Sequence, residues 1–212
     1  VAGFVTALKD IDGVTRVGLQ SSAVGEGAES GEGGAGCSAA GFDAQFKMNP
    51  PLRADRGREA LLAALLDGTV DAIASDHAPH TSDEKCFEFE LAPFGILGLE
   101  TTLAVCLEHL VRPGLLPLAK LIELLTCGPA RVLGLPGGTL APGSPADVTV
   151  IDLEHRSTIE PRSFRSKSRN TPFGGWPVTG GAVLTIVGGK VVFRLPAPTA
   201  PTGPAAADAV TS

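Results

Sequence analysis

A short polar cluster, Asp76-His77-Ala78-Pro79-His80, carries the side chains best suited to chemistry. It follows an apolar run, Val70 to Ser75, that is long enough for one buried strand. Enzymes with parallel α/β sheets place catalytic groups at the C-terminal ends of such strands. A carboxylate there can bind a metal ion and exchange a proton with the water that the metal activates. An aspartate that caps a loop beside two surface histidines fits the spacing about equally well.

Two further segments contain candidate ligand-binding residues. In the segment KMNPPLR, the amide of Asn49 offers a donor and an acceptor, which suits a cyclic amide. In the segment APFGI, Gly95 follows Phe94 and lets a ligand approach the backbone closely. Taken alone, a proline turn and a hydrophobic loop are the simpler interpretations of these two segments.

Helical periodicity predicts the elements that position these residues. Apolar residues recur at helical spacing over 54–67, 98–111 and 117–126, and CGPARVLGL (127–135) predicts a further short helix. Gly68 stands where a left-handed C-terminal cap is expected. Helix, strand, loop, helix and helix in this order indicate an α/β architecture with a functional loop after the strand.

A small β unit follows the α/β part. The run ADVTVIDL (146–153) is rich in β-branched residues. Two apolar runs within 183–193 flank Gly188-Gly189, which predicts a tight hairpin.

Composition divides the chain into four parts. Gly, Ser, Ala and Glu dominate 21–41, and Pro, Ala and Thr dominate the end of the chain. Such segments bury too little apolar surface to offset their ordering entropy. We therefore expect a divergent, disordered region over 1–41, an α/β part over 42–137, a β unit over 138–194 and a disordered tail over 195–212.

Charge and cysteine content narrow the class of protein. The net charge of −6 argues against nucleic-acid or anionic-membrane partners, which require clustered Lys and Arg. No apolar run approaches the length of a membrane span. The four cysteines, Cys37, Cys86, Cys106 and Cys127, lack paired spacing, so we expect free thiols and a cytoplasmic location.

Taken together, the motifs resemble the dihydroorotases of the bacterial barrel type. KMNPPLR stands at 47–53, DHAPH at 76–80 and APFGILGLET at 92–101. Downstream, 138–153 and 170–193 resemble the entry and the last strands of that family's small β domain. The resemblance implies the C-terminal portion of a (β/α)8 amidohydrolase barrel followed by part of a small β-sandwich domain.

The resemblance also implies a role for each candidate residue. Asp76 corresponds to a zinc ligand that acts as general acid and base. Asn49 and His80 correspond to residues that bind dihydroorotate, and backbone groups of Phe94 and Gly95 to those that hold its pyrimidine ring. The implied reaction is the zinc-dependent, reversible cyclisation of N-carbamoyl-L-aspartate to dihydroorotate in pyrimidine biosynthesis.

The sequence departs from this family in its histidines. It contains no His-x-His-x-Arg motif, which supplies two zinc ligands and a carboxylate-binding arginine in the family, and its first histidine is His77. We therefore expect the isolated chain to be inactive and poorly soluble. Two alternatives stay open: a non-catalytic, dihydroorotase-like scaffold for aspartate carbamoyltransferase, and a related cyclic amidohydrolase such as an allantoinase or hydantoinase.

Overall fold

Helices predominate in the middle of the described chain, and strands predominate in its C-terminal part. The computed structural model describes residues 4–8, 17–20, 42–49 and 55–196. Its strands are β1 (Phe4–Leu8), β2 (Val17–Gln20), β3 (Ala72–Ala74), β4 (Val148–Thr158), β5 (Pro177–Val187) and β6 (Lys190–Arg194). Its α-helices are α1 (Asp55–Asp67), α2 (Ser82–Lys85), α3 (Thr102–Cys106), α4 (Leu118–Leu125) and α5 (Cys127–Leu133). A π-helical turn covers Leu107–Val111, and 3-10 turns cover Ala44–Phe46 and Pro161–Ser163.

The first sheet has the strand order β2-β1-β3, and both pairs are antiparallel. This differs from two expectations. The strands β1 and β2 lie within 1–41, where we predicted disorder, and a barrel would give β3 parallel neighbours. Without a neighbouring strand, this edge of β3 would expose unpaired N–H and C=O groups, and β1 pairs with them through its backbone. The rest of 1–41 lies outside the described residues.

The helix predicted over 54–67 is confirmed as α1, and it leads directly into β3. It ends at Asp67, and Gly68 has a φ of 84°, in the left-handed region that the sequence predicted. The strand itself is only three residues long, shorter than the apolar run from Val70 to Ser75. Its short length limits how much of the position of Asp76 the sheet alone can fix.

The main hydrophobic core lies between the helices and β3. It consists of buried apolar residues of α1, β3, α3, α4 and the segments beside them: Leu61, Leu65, Val70, Ile73, Cys106, Leu107, Leu116, Leu121 and Leu124. This packing explains the apolar periodicity that predicted α1 and α4 from the sequence.

The helix predicted over 98–111 is in part a different structure. It begins as α3 and continues as a π-helical turn, in which the N–H of Arg112 donates to the carbonyl of Leu107. The wider turn lies where the helix meets β5. There Leu107 packs against Gly180, and the carboxylate of Glu108 accepts a hydrogen bond of 2.8 Å from the N–H of Thr179. π-Helical segments are rare and mostly one turn long, as this one is.

The C-terminal sheet has the order β4-β5-β6 and is antiparallel throughout. Gly188 and Gly189 have φ values of 55° and 76°, which confirms the predicted hairpin. Strand β4 continues to Thr158, beyond the predicted 146–153, because its ladder with β5 resumes after a register shift. A second buried cluster joins this sheet to the rest of the protein, and it contains Met48, Ile96, Val105, Ile159, Phe173 and Val178.

Three cysteines lie in the described part of the chain, and all three, Cys86, Cys106 and Cys127, are free thiols, as predicted. Burial raises the pKa of the Cys106 thiol to about 12, so this group packs as a small apolar side chain. Cys37 and residues 197–212 lie outside the described residues. Within the described residues, no helix has both the length and the apolar character to cross a membrane.

Candidate active site

Asp76 lies just beyond the C-terminal end of β3, and its side chain is exposed. The strand is buried at Ala72 and Ile73, so the chain leaves the core at this point. A carboxylate here can act on a ligand in solvent without a penalty for burying its charge. The structure therefore places Asp76, the predicted general acid and base, on the surface just after the C-terminal end of the strand.

Two short segments, which we call the site loops, lie side by side beyond β3; they comprise residues 76–80 and 93–97. The N–H of Ala78 donates to the carbonyl of Ile96 at 2.9 Å, and His77 forms a parallel bridge with Ile96. This is parallel pairing of the kind that an α/β sheet uses, although it is limited to one bridge. The pairing brings DHAPH and APFGI, two motifs that the sequence singled out separately, into direct contact.

The two histidines of DHAPH are engaged with the backbone of neighbouring segments. Nδ1 of His77 accepts hydrogen bonds from the N–H groups of Gly98 at 3.2 Å and Leu99 at 3.3 Å. Nε2 of His80 lies 2.9 Å from the carbonyl oxygen of Phe94. Because a carbonyl oxygen only accepts, Nε2 of His80 carries the proton in this contact, whereas Nδ1 of His77 carries none.

A capping box holds the chain after His80. Glu84 accepts from the backbone N–H of Thr81 at 2.8 Å, while its own N–H donates to the Thr81 hydroxyl. The N–H and the hydroxyl of Thr81 both donate to the Glu84 carboxylate, and these bonds, followed by a smaller effect of His80, lower the pKa of Glu84. Nδ1 of His80 lies 3.7 Å from the Glu84 carboxylate. The box therefore starts α2 and places an ionised carboxylate beside His80.

Gly95 permits the close approach of the site loops. Its φ is 125°, and a Cβ atom built there would lie 2.4 Å from Cβ of Ala78. Its N–H donates to the carbonyl of Lys47 at 2.9 Å. Phe94, immediately before it, is exposed, and its ring lies 4.6 Å from the Lys47 ammonium. The sequence predicted that this glycine lets a ligand approach the backbone closely. In the structure, the group that approaches it closely is Ala78 of the protein itself.

Lys85 is a residue of this region that the sequence did not single out as a candidate site residue. It is buried, and its ammonium donates to three carbonyl oxygens: those of Ala44 at 2.9 Å, Pro93 at 2.9 Å and Lys47 at 3.3 Å. Burial, and then the charge of Lys47, lower its pKa to about 8, while Asp43 acts in the opposite direction. Lys85 thereby ties the KMNPPLR segment to the second site loop.

Asn49 is exposed and follows Lys47 by two residues, at the end of the described segment 42–49. The carbonyl of Lys47 accepts from the N–H of Gly95, which brings this segment next to the second site loop, and the Lys47 ammonium donates to the carbonyl of Glu90 just before that loop. Of the predicted site residues, His80, Phe94 and Gly95 are thus joined by direct contacts. Asp76 and Asn49 are brought near them by chain connection.

Comparison with known proteins extends these local findings to the family. Residues 46–192 match the model of the amidohydrolase family. The chain belongs to the amidohydrolase family. It is 54% identical over 154 residues to a dihydroorotase of Halalkalibacterium halodurans and 52% identical over 154 residues to one of Bacillus caldolyticus, which is 73% of this chain in each case. The chain spans about a third of the length of these curated relatives, 36% in both.

Solved amidohydrolase structures resemble the chain over the same extent. An L-hydantoinase (dihydropyrimidinase) from Arthrobacter aurescens matches with a TM-score of 0.69 and 36% identity, over 74% of this chain and 36% of that one. A D-hydantoinase (dihydropyrimidinase) from Thermus sp. matches with a TM-score of 0.66 and 29% identity, over 71% and 34%. The fold is therefore mixed α/β of the (β/α)8-barrel type, as predicted from the sequence.

The metal implied by the resemblance does not fit the donor set of this amidohydrolase chain by itself. Among the described residues, no group of three His, Cys, Asp or Glu side chains is placed to hold a metal ion. Nδ1 of His77 and Nε2 of His80 bond to backbone groups, which leaves the other ring nitrogen of each histidine as the possible donor. Among the described residues these nitrogens and the exposed carboxylate of Asp76 are not placed together as a set, whereas a catalytic zinc normally takes three protein ligands.

Asn170 is the second site residue that the sequence did not single out. Its side chain is buried and contacts both site loops, although it lies about ninety residues further along the chain. The only signal was its place at the start of NTPFGGW, a segment that resembles the family's last strands. Nothing in its local spacing indicated a contact with DHAPH.

Proposed function

We propose that this amidohydrolase chain is part of a dihydroorotase, an enzyme that interconverts N-carbamoyl-L-aspartate and dihydroorotate. In this proposal, 42–137 form the C-terminal portion of the barrel and 138–194 form part of a small β-sandwich domain. The identity of 52–54% to dihydroorotases supports it, as do the motifs KMNPPLR and DHAPH. The observation that carries it most directly is the contact of His80 with Phe94 in the loop that begins at the exposed Asp76.

The chemistry proposed for this chain is proton transfer by Asp76. In the hydrolytic direction, the oxygen of a water molecule bonds to the ring amide carbon, and a proton of that water passes to the Asp76 carboxylate. The ring C–N bond then breaks, and Asp76 returns the proton to the departing nitrogen. Cyclisation is the reverse: the C–N bond forms, and the proton leaves with the water that is released.

The ring of the ligand would bind to groups of the site loops and of KMNPPLR. The carbonyl oxygens of Phe94 and Gly95 each accept one protein hydrogen bond, from His80 and Asn170, and each keeps a second lone pair for a ring N–H. Nδ1 of His80 and the amide of Asn49 supply the remaining polar contacts. The N–H of Gly95 is used by Lys47, so we assign recognition to the carbonyl oxygens.

Zinc enters the proposal only through Asp76. This residue is the ligand that the chain would contribute to the ion implied by the family resemblance. The other donors would have to lie outside the described residues, since these contain no further set placed to complete a site. We therefore expect the isolated chain to bind ligand weakly and to show no cyclisation.

A hydantoinase is the second candidate function. The solved structures that resemble the chain include an L-hydantoinase, at a TM-score of 0.69. Its substrate class shares the cyclic amide with dihydroorotate but lacks the ring carboxylate. Discrimination therefore depends on which cyclic amide the site loops prefer.

Titration of the full chain with three ligands tests the proposal. Dihydroorotate, N-carbamoyl-L-aspartate and hydantoin would each be added while NMR follows the ring of His80 and the amide of Gly95. We expect dihydroorotate to shift both signals at lower concentration than hydantoin, and Asn49→Ala to weaken that response. A stronger response to hydantoin would favour the second candidate, and no response to any ligand would contradict both.

A further inference from the structure

Asn170 occupies a position that connects three parts of the molecule. It lies in the segment between the 3-10 turn Pro161–Ser163 and β5, and only 3% of its surface is exposed. A buried primary amide requires partners for its oxygen and both of its N–H groups. The partners here come from the site loops and not from its own segment.

Each polar group of Asn170 is used. Its Oδ1 accepts from the N–H of His80 at 3.0 Å, and its Nδ2 donates to the carbonyls of Ala78 at 2.9 Å and Gly95 at 3.3 Å. Its main-chain carbonyl accepts from the N–H of Leu97 at 2.9 Å. One residue thus holds the first site loop at two points and the second at two points.

These hydrogen bonds set the distance between the protein groups that we propose to bind a ligand. Nδ2 bridges the carbonyls of Ala78 and Gly95. These two residues lie so close together that a Cβ atom added at Gly95 would overlap Cβ of Ala78. The bond to the N–H of His80 fixes the backbone from which the imidazole reaches Phe94. Asn170 and the hydrogen bond between His80 and Phe94 therefore both hold the two site loops at this separation.

We propose that Asn170 is a positioning residue that sets the separation of the two site loops and thereby the placement of His80 and Gly95. The consequence for ligand binding rests on the proposed function, whereas the effect on the loops does not. The proposal assigns a role in the site to the segment leading into the C-terminal sheet.

Three variants of the full chain separate positioning from general stability. Asn170→Ala removes all of the side-chain bonds. Asn170→Asp keeps the acceptor for the N–H of His80 but replaces both donors with a second oxygen, which faces the carbonyls of Ala78 and Gly95. Thr171→Ala is the matched control, because Thr171 is also buried and, among the residues that the structure describes, its hydroxyl bonds to the N–H of Phe173 in its own turn.

Amide hydrogen exchange and the nitrogen resonances of the histidine rings give the readouts. We expect Asn170→Ala to speed exchange of the His80 amide, which loses its acceptor, by roughly tenfold or more. Exchange of the Gly95 amide should also become faster, because the second site loop loses the donor to the Gly95 carbonyl even though the Gly95 N–H keeps Lys47 as its acceptor. Asn170→Asp should leave the amide of His80 protected while Gly95 exchanges faster. Acidification should partly reverse this change, since a protonated carboxyl regains one donor. The His80 ring signal should move toward that of a solvated imidazole in both variants.

The pattern of exchange decides the outcome. Equal loss of protection at His80 and Gly95 in Asn170→Asp, or the same changes in Thr171→Ala, would overturn the positioning role. The split pattern would support it, whether or not dihydroorotate binds. If the split appears but the wild-type chain binds none of the three ligands, the proposed function fails and the role of Asn170 stands.

Discussion

The site loops and the C-terminal sheet hold their shape in different ways. The sheet is held by backbone ladders between β4, β5 and β6, with two strands of eleven residues each. The site loops follow a strand of three residues, and side chains that donate to backbone carbonyls hold them: Lys85 on one side and Asn170 on the other. A ladder distributes its stabilisation over many equivalent backbone hydrogen bonds, whereas each of these contacts of the site loops depends on one side chain.

This difference predicts where single substitutions have large effects. In the site loops, removing one side chain or adding one methyl group should be costly. In the C-terminal sheet, an exposed position should tolerate exchange. The comparison can be tested with variants whose expected effects on the free energy of unfolding decrease in order.

The largest effect is expected for Gly95→Ala. The new Cβ would lie 2.4 Å from that of Ala78, and the φ of 125° is unfavourable for any L side chain. Strain and overlap together should destabilise the chain by about 3 kcal/mol or more. Gly114→Ala is the matched control, because its φ is 75° but no atom lies near the added Cβ, so about 1–2 kcal/mol is expected. Urea unfolding measures both, and equal losses would show that contact with Ala78 is unimportant.

Lys85→Met should follow, with a loss of about 2–4 kcal/mol. The substitution keeps an unbranched side chain but removes a charged donor from three carbonyls. The carbonyls of Ala44 and Lys47 keep the N–H groups of Lys47 and Gly95, whereas that of Pro93 keeps no other donor among the described residues. Lys120→Met is the control, since Lys120 forms a partly exposed ion pair with Glu123, for which less than about 1 kcal/mol is expected. A loss for Lys85→Met no larger than that of the control would remove one of the two supports from the comparison.

The pH dependence of the same pair provides a finer test. Folding lowers the pKa of Lys85 from 10.5 to about 8, chiefly through burial and then through Lys47, with Asp43 opposing. Between these values the unfolded chain binds the proton more strongly, so stability due to Lys85 rises with pH; below about 8 the penalty for the buried charge is fully present. The difference in stability between wild type and Lys85→Met should therefore grow above about pH 8. Groups common to both chains cancel, and a difference that stays constant or shrinks would contradict this pKa.

The sequence predicted those parts of the molecule whose signals are local. Helix α1 with its glycine cap and the Gly188-Gly189 turn were predicted because propensity and periodicity act over a few residues. The cluster around Asp76 could be proposed because it is compact in the sequence, and its role in the site stays a prediction. Lys85 and Asn170 were missed because their partners lie up to 41 and 92 residues away. A side chain that bonds to a distant carbonyl leaves no periodic pattern.

The pairing of strands that are distant in the chain was also beyond the sequence. Nothing in the composition of 1–41 indicated that Phe4–Leu8 would pair with β3 in antiparallel orientation. Similarly, the register shift that prolongs β4 to Thr158 depends on its partner strand β5. Pairing depends on the geometry of two segments together, whereas sequence patterns describe one segment at a time.

Thr81→Ala tests the capping box and should destabilise the chain by about 1 kcal/mol. It removes the acceptor for the N–H of Glu84 and one of the donors to the Glu84 carboxylate. Ser82→Ala, at the exposed first residue of α2, is the neighbouring control and should change stability by less than about 0.5 kcal/mol. If the two substitutions have equal effects, the side-chain cap contributes nothing to the placement of His80.

The smallest effect is expected in the C-terminal sheet, for Val192→Thr. Val192 lies in β6 and is 52% exposed, so a hydroxyl there stays in solvent, and the change should be within about 0.5 kcal/mol. Val178→Thr in β5 is the informative partner. Val178 is 3% exposed and packs with Ile96 of the second site loop, so the same substitution buries a hydroxyl and should cost about 1–2 kcal/mol. Equal, small effects would mean that the sheet and the site loops are energetically separate. A large effect confined to Val178 would mean that the sheet is sensitive only where it supports the site.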